Sequence, residues 1–163
     1  MLQHPFPPLY DEKSKVLILG SFPSVKSREQ MFFYGHPQNR FWKVISAVMG
    51  ASTPITINEK KDFLHTHHIA LWDVIASCDI TGSSDSSIKN VVANDLDVIL
   101  QNADIKQIFV NGKTAEKYYN KYIHNKIGRE ALCLPSTSPA NATWGIERIV
   151  CAWSIIKEYT DKN

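Results

Sequence analysis

The sequence predicts a three-layer α/β/α fold, in which helices cover both faces of a four-stranded, mainly parallel sheet. Two observations predict it. Four short runs are continuously apolar, as in strands that are buried on both faces, and helical patterns lie between them. Buried strands that alternate with helices indicate crossover connections and a parallel sheet. The length of 163 residues suits one unit, so we expect residues 1–163 to form a single domain.

The predicted strands are short and end at turn residues. A proline-rich stretch from His4 to Pro8 precedes them and predicts an extended N-terminal segment. The four strands predicted from the apolar runs are Val16–Leu19 (stopped by Gly20), Ile69–Trp72, Ile108–Val110 and Ala131–Leu134.

The clearest predicted helix covers residues 41–49. Its apolar residues recur at spacings of three and four, and Gly50 follows as a suitable C-terminal cap. Asn94 is expected to cap a helix over residues 95–100, which has acidic residues in its first turn. Two further helices are predicted over 113–123 and 145–159.

Composition excludes several functional classes. The chain is 44% hydrophobic and 21% charged, which is typical of a globular protein and not of a disordered one. No apolar run approaches the roughly 20 residues that span a bilayer, and Met1 to Lys15 lacks the order of a secretory signal, so we expect no membrane association. The formal charge of +2 permits a polyanionic partner without requiring one.

The cysteines and histidines do not predict a metal centre. Three separated cysteines without a C-x-x-C pair exclude a cysteine-only zinc site and a four-cysteine cluster, and indicate buried thiols in a reducing cytoplasm. His65, His67 and His68 lie together, but no fourth ligand accompanies them. We therefore expect no metal and no cofactor.

The strand exits indicate where a ligand would bind, because open parallel sheets bind ligands beyond the carboxyl ends of their strands. These exits carry small, hydroxyl, amide and carboxylate groups, although turns favour such residues in any case. The four exits are Gly20–Ser24, Trp72-Asp73, Asn111–Lys113 and Pro135–Asn141.

A run from Tyr34 to Trp42 narrows the choice. It is dense in Gly, Pro, His and amide residues and leads directly into the helix over 41–49. Asn39 stands where an N-cap residue would, so capping is the alternative to a catalytic role. His36 likewise has a structural alternative as a turn residue.

Several motifs, taken together and in order, resemble the hypoxanthine-DNA (deoxyinosine) glycosylases of the uracil-DNA glycosylase superfamily. They extend from residue 16 to about residue 142, and the HPQNRFW run is also similar to the mismatch-specific uracil-DNA glycosylases. The motifs are GSFPS, SREQ, YGHPQNRFW, GSSDSSIKN, VNG and PSTSPAN.

The resemblance implies a monofunctional DNA glycosylase with Asn39 as its catalytic residue. Most of the superfamily has a catalytic Asp or Asn where this chain has Phe22, but the hypoxanthine branch shares GSFPS and assigns catalysis to the Asn of HPQNRFW. We expect the amide oxygen of Asn39 to hold a water beside an everted nucleotide. Expected base contacts are Gly20, Ser21, Phe22 (by stacking), His36 and Asn111 (through its amide donor and acceptor).

Phosphate contacts are expected to supply non-specific affinity. The serine-rich segment 83–87 with Lys89 is a second hydroxyl-rich loop, and simple solvation is its alternative. Lys113 shares a helix face with Lys117 and Lys121, for which solubility is the alternative. The expected DNA contacts are Ser24, Ser136, Thr137, Ser138, Pro139, Ala140, Asn141 and Lys113, with Ala140 and Asn141 filling the gap left by the flipped base.

Other functions stay open at this point. Within the same class, the substrate could be uracil or xanthine, and Phe22 keeps open a protein that binds damaged DNA without cutting it. A nucleotide hydrolase or acyl transferase lacks its usual motifs here, and a Ser21–His36–Asp73 triad has no supporting spacing. The expected partner is duplex DNA with a deaminated base, single-stranded DNA remains open, and the expected state is a monomer.

Overall fold

The computed structural model describes residues 1–162, which form seven strands and eight α-helices. The strands are β1 (Leu2–Gln3), β2 (Val16–Gly20), β3 (Ile69–Asp73), β4 (Ile75–Asp79), β5 (Lys89–Ala93), β6 (Gln107–Asn111) and β7 (Ala131–Leu134). The helices are α1 (Val25–Gln30), α2 (Phe41–Met49), α3 (Ile57–Thr66), α4 (Asp97–Leu100), α5 (Lys113–Tyr122), α6 (His124–Ile127), α7 (Ile146–Trp153) and α8 (Ile155–Thr160).

The central sheet has four strands in the order β3-β2-β6-β7, and every neighbouring pair is parallel. These are the four strands that the apolar runs predict, so the predicted α/β architecture is confirmed. The carboxyl ends of β3, β2 and β6 therefore meet at one edge, where Gly20 pairs with Asp73 and β6 ends at Asn111.

Two hydrophobic cores explain why the strand sequences do not alternate. Along β2, Val16 and Ile18 pack into one core with Phe41 of α2, whereas Leu17 and Leu19 pack into the other. All four strand residues are fully buried. A strand covered by helices on both faces has no solvent face, and polar residues are therefore absent from it.

A second, smaller sheet was not predicted. It contains β1, β4 and β5 in antiparallel order, with β4 in the middle. β4 begins only one residue after β3, and β5 is largely exposed. Short, partly exposed strands of mixed polarity give little periodic signal.

Two helix predictions need correction. Asn94 does not cap a helix: its side chain donates to the Asp73 carbonyl at 2.9 Å, and α4 begins only at Asp97. The helix predicted over 145–159 is divided at Ser154 into α7 and α8. The Ser154 hydroxyl donates to the Val150 carbonyl at 2.8 Å, a local bond that competes with the helical pattern.

The remaining helix predictions agree closely with the structure. α2 spans the predicted residues, and Gly50 ends it in the left-handed conformation, with φ of 65°. α5 spans Lys113–Tyr122 against a prediction of 113–123. Within residues 1–162, no helix is both long enough and apolar enough to cross a membrane.

Candidate active site

The carboxyl edge of the central sheet opens into a cavity of about 290 Å³. This volume lies near the lower limit of small-molecule pockets, roughly 300–1,000 Å³, and suits a single ring system better than a whole nucleotide. The cavity is lined by residues of three strand exits, the run before α2 and the loop after β7. Those that the sequence predicted as site residues are Gly20, Ser21, Phe22, Ser24, His36, Asn39, Asn111, Ser136, Thr137, Ser138, Pro139 and Ala140.

Asn39 both orients the start of α2 and faces the cavity. Its Oδ1 accepts hydrogen bonds from the Phe41 backbone N–H and from the Thr137 hydroxyl, each at 2.9 Å. Because a backbone donor fixes the position of Oδ1, the orientation of the amide is set. Among residues 1–162, the Nδ2 group has no hydrogen-bond partner, and it is the atom left for a ligand. This differs from the expectation that the oxygen would hold a water.

Thr137 connects Asn39 to Asn111. Its backbone N–H donates to Asn111 Oδ1 at 3.1 Å, and its hydroxyl oxygen accepts from Asn111 Nδ2 at 3.0 Å. Its carbonyl accepts from the Arg40 backbone N–H at 3.0 Å, and the residue is fully buried. Its N–H and O–H are thus both bonded within the protein, which leaves no donor for the predicted phosphate contact in this conformation, and that contact stays a prediction.

Asn111 is held more tightly than the sequence suggests. Its Nδ2 group donates to Thr137 and also to the Tyr34 hydroxyl, at 3.3 Å, so both amide hydrogens are occupied. Its oxygen keeps one lone pair free for a ligand. Burial raises the pKa of Tyr34 well above its ordinary value, and the charge of Asp73 adds to the shift, so this hydroxyl keeps its proton.

His36, of the YGHPQNRFW motif, and Phe22, of the GSFPS motif, line the same cavity. His36 Nδ1 accepts from the Gln38 backbone N–H at 3.1 Å, which assigns the proton of the neutral ring to Nε2 and leaves that atom as a donor. Phe22 is largely buried, with its ring edge-on to His4 at 6.0 Å between centroids. A flat apolar side chain in this place can stack against an aromatic ligand.

The turn after β2 depends on the absence of a side chain at Gly20. A Cβ atom there would lie 2.5 Å from Asp73 Oδ1 and 3.3 Å from the Tyr34 hydroxyl oxygen. Asp73 is buried, and its Oδ2 accepts from His4 Nε2 at 2.7 Å. Since the histidine partner of Asp73 is His4, the Ser21–His36–Asp73 triad is not formed. The sequence analysis named Asp73 only in a strand exit and in that triad, and it assigned no role to His4 or Tyr34.

The loop after β7 is shaped by its own side chains. Ser136 Oγ accepts from the Ser138 backbone N–H at 3.1 Å, and Ser138 Oγ accepts from the Ala140 N–H at 3.2 Å. Asn141 turns inward and donates to the Ser136 carbonyl at 3.0 Å. Pro139 and Ala140 are left exposed at the tip of this loop.

Arg40, which the sequence analysis did not assign, fixes this loop against α2. Its guanidinium donates to the carbonyls of Trp144, Ser138 and Asn141. A planar fork of donors is suited to several acceptors at once. No local signal in the sequence separates this structural arginine from one that contacts DNA.

The serine-rich segment packs against α1 on the other side of the cavity. Ser83 Oγ accepts from the Val25 backbone N–H at 3.0 Å, and the Gly82 carbonyl accepts from Arg28 at 3.0 Å. Ser24, expected to contact DNA, caps α1 by accepting from the Ser27 N–H at 3.2 Å. The serine-rich segment is therefore not simply a solvated loop, because it also forms hydrogen bonds with α1.

Two charged groups flank the cavity. Asp85 of the serine-rich segment lines it, and loss of solvent raises the pKa of this carboxyl group, while the Thr114 and Ser21 hydroxyls oppose the shift. Lys113, the first residue of α5, is exposed and lies in an adjoining groove that also contains Ser136 and Ala140.

Over the described range 1–162, no cluster of three or more His, Cys, Asp or Glu side chains could hold a metal ion.

Comparisons with known proteins agree with this geometry. A family model described as the uracil DNA glycosylase superfamily matches residues 7–157. The chain is 33% identical to the hypoxanthine DNA glycosylase of Methanosarcina barkeri over 143 residues, covering 86% of this chain and 89% of that protein. It is also 33% identical to the hypoxanthine DNA glycosylase of Methanosarcina acetivorans over 150 residues, with 91% and 94% coverage.

A solved structure shows the same fold. It is the solution NMR structure of a Methanosarcina acetivorans protein described as a candidate uracil DNA glycosylase. It superposes with a TM-score of 0.79 at 29% identity, covering 96% of this chain and 99% of that one. The resemblance found in the motifs is confirmed by these matches, and the chain belongs to the uracil DNA glycosylase superfamily.

Proposed function

We propose that this protein is a monofunctional DNA glycosylase that removes hypoxanthine from deoxyinosine in DNA. The observation that carries the proposal is the position of Asn39, which lines a base-sized cavity at the GSFPS turn and whose Nδ2 group has no partner among residues 1–162. Superfamily membership and the hypoxanthine DNA glycosylases among the relatives support it. Repair of adenine deamination is the corresponding biological role.

The reaction replaces the base with a hydroxyl group. The nucleotide leaves the stack and its base enters the cavity. A water oxygen bonds to C1′ as the C1′–N9 bond breaks, and the base leaves with the bonding electron pair. The proton that the water loses passes through solvent to the departing base, which is released as neutral hypoxanthine. An amide is too weak a base to take that proton, so Asn39 acts by position: Nδ2–H donates to the water, whose remaining lone pair attacks C1′.

The base is held by stacking and by its polar edges. Phe22 stacks on the purine, and the Nε2–H of His36 and the hydroxyl of Ser21 are donors for O6 or N7. Donors at these atoms stabilise negative charge on the departing base. Gly20 leaves room beside the base, and Asn111, whose oxygen keeps one lone pair, lines the cavity next to it.

The DNA backbone is contacted at the edge of the cavity and in the groove beside it. We assign phosphate contacts to Ser24, Ser136, Ser138 and Lys113. We assign the position of the extruded base in the duplex to the exposed loop tip of Pro139 and Ala140, with Asn141 holding the loop through its bond to the Ser136 carbonyl. Duplex DNA with a deaminated base is then the substrate of a monomer.

A lyase step is not part of the proposal. None of the described residues that line the cavity is a lysine, and Lys43 on α2 is exposed. Without an amine at the reacting carbon, no Schiff base forms and the product is an abasic site. Cys78 is buried as predicted, but the prediction of buried thiols is wrong for Cys133 and Cys151, which are exposed. All three are free thiols, which supports the cytoplasm as the compartment.

The test is a single-turnover assay on duplexes that carry one inosine, uracil or xanthine, followed by alkaline cleavage of abasic sites. We expect strand breaks on the inosine duplex, and none before the alkaline step. Strand breaks on the uracil or xanthine duplex, and none on the inosine duplex, would show that the substrate base is uracil or xanthine and not hypoxanthine. Tight binding of the inosine duplex without breaks would indicate a protein that recognises damage and does not cut.

A further inference from the structure

We propose that Asp73 is a specificity residue, whose carboxylate accepts the ring N–H that deamination creates in the base. In hypoxanthine this group is N1–H. The inference rests on the proposed function and extends it to a residue and a contact that the superfamily motifs in this chain do not contain. Asp73 reads the Watson–Crick edge of the base, remote from the bond that breaks.

The first observation is the state of the two carboxylate oxygens. Asp73 is only 4% exposed and lines the cavity. Its Oδ2 is 2.7 Å from His4 Nε2. The Phe6 backbone N–H points at His4 Nδ1 at 3.5 Å, so Nδ1 is the acceptor and Nε2 carries the proton. His4 thus satisfies Oδ2, whereas Oδ1 has no hydrogen-bond partner among residues 1–162.

The second observation is the position of the unpartnered oxygen. Oδ1 lies over the Cα of Gly20, so close that a Cβ on that residue would be 2.5 Å away. Gly20 pairs with Asp73 at the ends of β2 and β3, where the cavity begins. Oδ1 is not one of the fully buried polar atoms that lack a partner in residues 1–162, so it stays accessible from the cavity, and a ligand N–H entering there would meet an acceptor that no described protein group occupies.

The third observation concerns Asn111, on the other side of Gly20 in the sheet. Both hydrogens of its amide are bonded to Tyr34 and Thr137, and its oxygen already accepts from the Thr137 backbone. Asn111 therefore has no hydrogen left to donate, and its oxygen keeps only one neutral lone pair. Asp73 Oδ1 is the stronger acceptor that remains, since it carries charge and has no donor.

The chemistry of deamination matches such an acceptor. Adenine presents a lone pair at N1, and cytosine presents one at N3. Deamination converts each into an N–H next to a carbonyl group. A carboxylate attracts the N–H of hypoxanthine or uracil and repels the lone pair of the parent base. Asp73 therefore separates damaged bases from adenine and cytosine, but it does not separate hypoxanthine from uracil.

The test compares two purines that differ at N1 and in the O6 carbonyl, and the variant is judged by how it changes the ratio of their rates. Deoxyinosine carries N1–H, whereas deoxynebularine, with unsubstituted purine as its base, carries a lone pair. Asp73→Asn keeps the size of the side chain and its acceptor for His4, but removes the charge and can place an amide donor at the Oδ1 position. We expect its single-turnover rate to fall roughly 10- to 100-fold on inosine and to change little or rise on nebularine. Asp104→Asn, in an exposed ion pair with Lys106, controls for net charge.

The ratio of the two rates decides the outcome. A merely structural aspartate would slow both substrates equally, and that result, or an unchanged rate on inosine, would overturn the proposal. If the parent protein cuts no inosine duplex, the proposed function itself fails. Equilibrium binding by fluorescence anisotropy then still tests Asp73: the parent must prefer the inosine duplex to the nebularine duplex, and Asp73→Asn must lose that preference.

Discussion

The two sides of the cavity are built differently. On the asparagine side, formed by Asn39, Asn111 and Thr137, five side-chain hydrogen bonds leave almost no polar capacity unused. On the aspartate side, formed by Gly20 and Asp73, one carboxylate oxygen is bonded to His4 and the other is unpartnered. The first side is preorganised and presents a single donor, whereas the second has a charged acceptor that no protein group within residues 1–162 occupies.

The difference follows from where the residues lie in the chain. Asn39 and Thr137 are 98 positions apart, and their bond closes a contact between the start of α2 and the loop after β7. Asp73 and Gly20 are register partners in neighbouring strands. Long-range bonds between loops hold the first side in place, while the sheet itself holds the second. Mutations should therefore disturb geometry on the asparagine side and recognition on the aspartate side.

The largest effect is expected at Asn39. Asn39→Ala removes the donor that faces the cavity, and we expect the single-turnover rate on an inosine duplex to fall roughly 10²- to 10³-fold. Asn39→Asp is the sharper variant: its carboxylate can still accept from Phe41 and Thr137, but it has no hydrogen to donate. If Nδ2 is the active group, the single-turnover rate should fall by a similar factor in both variants.

Affinity separates this loss from misfolding. Both Asn39 variants should bind a duplex with a stable abasic-site analogue within about threefold of the parent, since phosphate contacts supply most of that affinity. A parental rate in Asn39→Asp would contradict the donor role and return the function to the amide oxygen.

The second largest effect is expected at Thr137. Thr137→Val keeps the shape but removes the hydroxyl that joins Asn39 to Asn111, and leaves buried polar groups without a partner. We expect kcat to fall roughly 10- to 100-fold with a smaller change in KM, because the lost bond positions Asn39 and does not bind DNA. Thr137→Ser should recover most of the rate. A rise in KM with unchanged kcat would favour the phosphate contact that the sequence analysis predicted.

The sequence predicts the central sheet well because its strands are buried on both faces, which leaves a signal that is local and unambiguous. It predicts the neighbourhood of the cavity for the same reason, since the strand exits follow from the strands. The bonding of Thr137 and the pairing of His4 with Asp73 could not be predicted. Each depends on a contact between residues 26 or more positions apart. In addition, the sequence around a threonine in a polar loop does not indicate whether that threonine is buried or exposed.

Arg40 provides a smaller effect that tests the rigidity of the asparagine side. Arg40→Ala removes three bonds to carbonyls of the loop after β7, and we expect the free energy of unfolding to fall by about 1–3 kcal/mol. Chemical denaturation measures this loss. Arg40→Lys should recover little, since an ammonium group cannot reproduce the planar fork. An Arg40→Ala variant with parental stability and weaker DNA binding would instead make this arginine a DNA contact.

The smallest effect is expected at Lys113, which belongs to neither side of the cavity. It lies exposed in the adjoining groove, so Lys113→Ala should weaken binding of inosine and undamaged duplexes by the same factor. If it contacts one phosphate, the slope of log K against log salt should fall in magnitude by about 0.9. Lys157→Ala, on α8, is the matched control and should leave the slope unchanged. If Lys113→Ala weakened binding of the inosine duplex alone, Lys113 would contact the damaged nucleotide itself. The recognition site would then include α5 in addition to the asparagine and aspartate sides.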